Sequence, residues 1–210
     1  MNKQKKTTIF HYQDLEIETG HDVYDPAEDT FLLLETVHVN PTDAVLELGT
    51  GCGLIALAYA RLGASVVCTD INPSAVQLTK RNIQRNRPRL NGTIDVRQGD
   101  LFSVITTNER FDVIMFNPPY LPTSSEEKTD AWLSMAVDGG ADGLQVTKRF
   151  LDSVKNYLKT KGRIYFLFSS LSDRNSLERY LDDSGFTYER FAGYVFDSEE
   201  INVYGATPKH

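Results

Sequence analysis

The chain has 210 residues, 22 basic and 29 acidic, for a formal net charge of −7 and a hydrophobic fraction of 40%. That length suits one well-buried domain, and the acidic balance leaves no global electrostatic footprint for nucleic acid. Two cysteines, Cys52 and Cys68, exclude a disulfide-stapled fold, and no apolar run approaches the roughly 18 residues of a membrane span.

The basic start, Met1 to Lys6, is not followed by an apolar signal core, so a cytoplasmic location is expected. Thr7 to Thr19 is a partly apolar stretch that reads as a strand or an extended arm. Pro26-Ala27-Glu28-Asp29-Thr30 opens a helix through Phe31-Leu32-Leu33-Leu34, with proline and two acids suited to its first turn. On that local reading Glu28 and Asp29 serve the helix start, with a role in the ligand pocket as the alternative.

From Ala44 onward strands and helices alternate. Ala44 to Leu48 and the valine-rich Ser65 to Thr69 read as strands, and Leu54 to Arg61 and Pro73 to Arg85 as helices, the second capped by Asn72. Thr93 to Val96, Phe111 to Phe116 and Arg163 to Phe168 are further strands, while Leu144 to Leu158 and Asp173 to Asp183 are helical. Tyr188 to Phe196 and Ile201 to Ala206 follow without a helix between them, so they should pair antiparallel. The expected fold is α/β and Rossmann-like: a seven-stranded, mostly parallel sheet with an antiparallel last strand and helices on both faces. Residues 1–43 are expected to form an arm and helix packed on a catalytic domain of residues 44–210. The unassigned stretch from Leu121 to Gly143 reads as a binding loop.

Two motifs carry the chemistry. Glu47-Leu48-Gly49-Thr50-Gly51-Cys52-Gly53 places three glycines where the first strand of the sheet meets its helix, at a position that lets backbone amides approach a ligand. Position 54 is Leu, where a dinucleotide fingerprint needs glycine. Glu47 beside the turn would repel a pyrophosphate but attract the ammonium and sulfonium of S-adenosylmethionine. Asp70 follows Gly49 by 21 residues, close to the roughly 20 of a ribose-binding acid. Asp100 ends the third strand and is placed to accept from an adenine amino group. The second motif, Asn117-Pro118-Pro119-Tyr120, closes the apolar strand Phe111 to Phe116. A planar amide, two prolines and an aromatic ring at a strand end suit a flat NH2 group held beside a cofactor.

With these motifs the sequence resembles class I S-adenosylmethionine-dependent methyltransferases of the Asn-Pro-Pro-Tyr type, and within them the release-factor glutamine methyltransferases, the HemK/PrmC group. The segment Val23-Tyr24-Asp25-Pro26-Ala27-Glu28-Asp29-Thr30-Phe31-Leu32-Leu33 is similar to the short archaeal and eukaryotic branch. The stretch ahead of Glu47 is too short to hold comfortably the N-terminal helical domain of bacterial members. The resemblance implies that Thr30, Glu47, Gly49, Asp70, Asp100, Leu101 and Asn117 contact or line the cofactor pocket, with Gly51 and Gly53 completing the turn. It also implies catalytic and acceptor roles for Asn117, Pro118 and Tyr120, with Pro119 in the acceptor site. The Asn side chain and Pro118 carbonyl would accept from the target NH2, and the Tyr120 ring would pack on its plane. The implied acceptor is a glutamine amide in the Gly-Gly-Gln loop of a class 1 release factor; S-adenosylhomocysteine is the implied product, and a small zinc-binding activator the implied partner. The Thr93 to Val96 strand is the expected docking edge for such a subunit.

The residues by themselves leave a nucleobase amino group or a lysine open as acceptor, and a catalytically silent scaffold as a third reading. His11, His21, His38 and His210 show no metal-ligand spacing. Arg81, Arg85, Arg87 and Arg89 read as a solvated helix face. Trp132 is placed either to cover the acceptor pocket or to anchor its loop.

Overall fold

The computed structural model describes residues 8–123, 131–196 and 198–209, without the side chains of residues 192 and 196. Part of the expected binding loop, residues 124–130, and His210 lie outside the described residues.

The stretch expected as a single strand or an extended arm is a hairpin of β1 (Ile9–Tyr12) and β2 (Leu15–Glu18), closed by Gln13 at φ 55°. After it come α1 (Glu28–Thr36), β3 (Ala44–Leu48), α2 (Leu54–Leu62), β4 (Ser65–Asp70), α3 (Pro73–Asn86), β5 (Thr93–Gln98) and β6 (Phe111–Phe116). A one-turn helix α4 (Trp132–Met135) precedes α5 (Gln145–Val154), β7 (Leu158–Ser169), α6 (Arg174–Asp183), β8 (Phe186–Phe196) and β9 (Glu199–Pro208). The helix expected to reach Leu158 ends at Val154, because a tight turn at Lys155–Tyr157 delivers Leu158 to pair with Phe111. Strand β7 therefore starts five residues earlier than its apolar run suggests.

The main sheet runs in the order β5-β4-β3-β6-β7-β9-β8. Its first five strands pair in parallel, and β9 runs antiparallel to both β7 and β8. This bears out the expected Rossmann-like sheet with its antiparallel last strand. Alternating strand residues feed two cores. On one face Val45, Val66, Cys68, Val113 and Met115 pack with α1, α2, α3 and the hairpin. On the other, Leu46, Leu48, Ile114, Phe116 and Phe166 pack with α5 and α6. Both cysteines are free and buried, and burial pushes the Cys52 thiol up to about 12, so it serves as a small core hydrophobe. Among the described residues no helix is long and apolar enough to cross a membrane.

A pair of asparagines attaches the hairpin to the domain. Asn82 and Asn86 are fully buried on α3. Asn86 Oδ1 accepts from Glu16 N at 2.9 Å while its Nδ2 donates to Glu16 O at 2.8 Å. Asn82 makes the same two bonds to Glu18, both at 2.9 Å. The match is geometric: four helical residues rise about 6 Å and two strand residues about 6.6–6.8 Å, so side chains at i and i+4 imitate a neighbouring strand. Arg81, Arg85 and Arg89 meet Glu16 and Glu18 around this ladder, so the basic cluster is largely neutralised within the chain.

Candidate active site

Strands β3, β4 and β6 end side by side, and the loops leaving their carboxyl ends enclose a cavity of about 310 Å³. The glycine turn forms its floor. Gly49 and Gly51 take φ of 69° and 57°, and a Cβ on Gly49 would stand 3.5 Å from the Phe116 ring. Gly53, expected among the cofactor contacts, does not line the cavity. It sits behind the turn at φ 84° as the N-cap of α2, where a Cβ would fall 2.7 Å from Thr79 Cγ2. Its role is to allow close packing of the turn on α3.

Two carboxylates stand at the turn. Glu47 is 3% exposed and its Oε2 accepts from Thr50 Oγ1 at 2.8 Å. Burial, reinforced by the Asp70 charge and opposed by the Thr50 bond, pushes its carboxyl up to about 8. Asp70 holds the turn directly: Oδ2 accepts from Gly51 N at 2.8 Å and Oδ1 from Asn72 N at 2.9 Å. Burial raises its pKa against those two bonds. Asp100 lies at the more open side, where its Oδ2 accepts from Arg149 Nη2 at 2.6 Å. Leu101 beside it holds φ 47°, a left-handed conformation costly for a branched side chain, and lines the same cavity.

The opposite wall is the Asn117-Pro118-Pro119-Tyr120 segment, all four residues of which line the cavity together with Thr30. Asn117 Nδ2 donates to Asp29 Oδ2 at 3.0 Å, and the Tyr24 and Tyr120 hydroxyls donate to that oxygen at 3.3 Å each. Burial, with the Asp29 charge next in size, raises both phenols well above their usual range. The segment is anchored behind by Ser172 Oγ, which donates to Tyr120 O at 3.2 Å, and by Leu121, which bridges to Asp138. Trp132 and Met135 of α4 line the cavity as well.

Tyr24 is a site residue for which the sequence offers no role, and Asp29, for which it favours the helix start over the pocket, lines the cavity. An acid in a helix's first turn has a sufficient local explanation, and the partner that changes its meaning lies 88 residues away. The hairpin's exit is tied in too, by Asn72 Nδ2 donating to Asp22 O at 2.6 Å.

Glycine turn, strand-end acids and proline segment thus converge on one cavity, and comparison with known proteins gives this arrangement a family. The methyltransferase small domain family matches residues 20–186. A Methanocaldococcus jannaschii protein named "Putative protein N5-glutamine methyltransferase" is 41% identical over 199 residues, covering 94% of this chain and 98% of the relative. Human methyltransferase HEMK2 is 33% identical over 154 residues, covering 70% of this chain and 71% of the relative. Among solved structures, the Mtq2–Trm112 complex of E. cuniculi, described as methylating the termination factor eRF1, superposes with a TM-score of 0.68 at 25% identity. That match covers 90% of this chain and 99% of the other. The chain belongs to the methyltransferase small domain family, in its HemK-type protein glutamine methyltransferase branch.

Proposed function

We propose that this enzyme transfers a methyl group from S-adenosylmethionine to the side-chain amide of a glutamine in the Gly-Gly-Gln loop of a class 1 release factor. The observation that carries the reading is the Asn117 amide, whose NH2 end is tied to Asp29 across a cavity floored by the glycine turn. The names of relatives that act on glutamine and on release factors support the acceptor.

The residues present fit the donor. Glu47 is an acid whose pKa burial raises for want of a compensating charge, and a cationic ligand would supply one. The Asp70 oxygens are held by backbone amides and retain acceptor capacity for a diol. Asp100 and Leu101 form the remaining side, suited to the adenine ring. Bound there, the cofactor provides an electrophilic methyl on sulfonium and leaves as S-adenosylhomocysteine.

The acceptor nitrogen is the difficult partner, because its lone pair is delocalised into the amide carbonyl. With Nδ2 engaged by Asp29, Asn117 presents Oδ1 to the ligand, and Pro118 O is a second acceptor. Two acceptors on the two N–H bonds hold the nitrogen in one orientation, a contribution on the order of 7–11 kcal/mol to the barrier at best. The same oxygens stabilise positive charge as the N–C bond forms and the N–H proton passes to solvent. Pro119 and the Tyr120 ring shape the slot for the planar group.

A small activator subunit would dock on β5, the outer strand beyond β4, by adding a strand to the sheet. Its zinc-binding character rests on the family resemblance alone. The test offers labelled donor to a release factor, its Gln→Ala variant, tRNA and duplex DNA. Label on the release factor that disappears in the Gln→Ala variant is expected, and label on nucleic acid alone refutes the reading.

A further inference from the structure

The Asp29 carboxylate is 4% exposed and divides its two oxygens between two tasks. Oδ1 stays local, accepting from Thr30 N at 2.6 Å and Thr30 Oγ1 at 3.1 Å. Oδ2 leaves the helix and accepts from three side chains brought from two other segments: Tyr24, Asn117 and Tyr120. A residue needed only for the helix start would have no use for that second set.

The chemistry of this contact has a direction. Asp29 Oδ2 is the acceptor in all three of these bonds. The Asn117 amide must therefore turn its NH2 end toward Asp29, and only then does Oδ1 face the acceptor group. An amide free to flip would present NH2 to NH2, donor against donor, and repel the group it should orient. The two phenols are also committed to Asp29 as donors, so their hydrogens point away from the slot. We propose that Asp29 is a positioning residue for methyl transfer: it locks the Asn117 amide, with Tyr24 and Tyr120, in the one rotamer that offers an acceptor oxygen to the substrate NH2. This rests on the reading of Asn117 as the group that orients the acceptor.

Substitution at 29 separates this role from a structural one. Asp29→Asn keeps the volume but has one acceptor oxygen for two sides that both need one. Either the Thr30 amide or the Asn117 NH2 then faces a donor. Asp29→Ala removes both acceptors. The expected result for each is a fall in kcat of at least tenfold with cofactor affinity within about threefold of wild type, since misplacement of a reacting group by about 1 Å costs up to about 10²-fold. Asn117→Ala is the control, and adding Asp29→Ala to it should cost little more, because the two residues act as one unit.

Measurement is by steady-state methyl transfer to a release factor, with cofactor affinity by calorimetry and thermal melting of each variant. Wild-type kcat in Asp29→Asn, alongside an impaired Asn117→Ala, overturns the proposal while sparing the reading of Asn117. So does a parallel loss of kcat, cofactor affinity and melting temperature in both Asp29 variants, which marks a structural role. Full activity in Asn117→Ala overturns the underlying reading instead.

Discussion

Replacing Glu47 with glutamine should stabilise the ligand-free protein in alkaline buffer and leave it unchanged in acid. The folded carboxyl titrates at about 8 against 4.5 in the unfolded chain, because burial penalises its ionised form. A folded value above the unfolded one means the contribution is fully present below about pH 4.5 and is lost as pH rises through 8. At about 1.4 kcal/mol per pH unit that loss amounts to about 5 kcal/mol in the wild type. Asp70 is shifted in the same direction and adds to the wild-type slope. Comparison with Glu47→Gln cancels the Asp70 part and isolates Glu47. Glutamine preserves shape and can still accept from Thr50 Oγ1, the hydrogen bond that Glu47 now holds.

The assay is thermal unfolding of the ligand-free wild type and Glu47→Gln at pH 5, 7 and 9. For a domain this size each kcal/mol moves Tm by about 2–4 °C, so the variant should melt roughly 10–20 °C above wild type at pH 9 and level with it at pH 5. Saturating S-adenosylmethionine should reverse the order, because only the ionised acid pairs with the cofactor's cation. Parallel melting curves for the two proteins from pH 5 to 9 would refute the buried, ligand-seeking acid.

Two further substitutions test how the site is held. Gly53→Ala forces φ 84° on a residue with a Cβ that falls 2.7 Å from Thr79 Cγ2, so unfolding stability should drop by roughly 2–5 kcal/mol in urea titration; an unchanged midpoint would refute the packing role. Asn82→Ala deletes bonds to Glu18 N, Glu18 O and Cys52 O. It should cost on the order of 3 kcal/mol and open the hairpin to proteolysis, and a variant as protease-resistant as wild type would show that the ladder is dispensable.

The parts of this fold that were legible are those whose signal is local. Val-rich alternation and glycine at position 49 announce β3, α2 and β4 because one strand and one turn suffice to state them. Asn72 is equally readable, and it caps α3 by accepting from Ser74 N at 2.8 Å. The hairpin was not legible, since its turn uses Gln13 in a left-handed conformation where glycine or asparagine would have signalled it. The early start of β7 is hidden by the polar run Lys159-Thr160-Lys161, which falls in the irregular stretch between the Leu158–Phe111 and Arg163–Val113 pairs. Gly53 was read as a ligand contact because glycines in a turn look alike in sequence, while its neighbour Thr79 comes from a later helix. For Asp29 the sequence leaves helix start and pocket both open, because the choice depends on Asn117, which only the folded sheet brings near.

The central claim is that the cavity methylates a glutamine amide. The most direct measurement is tandem mass spectrometry of a class 1 release factor after incubation with the enzyme, any required activator and S-adenosylmethionine labelled in the methyl group. One added methyl on the side-chain nitrogen of the Gly-Gly-Gln glutamine is the expected result. A methyl carried on a lysine, or an unmodified release factor beside labelled RNA or DNA, would contradict it.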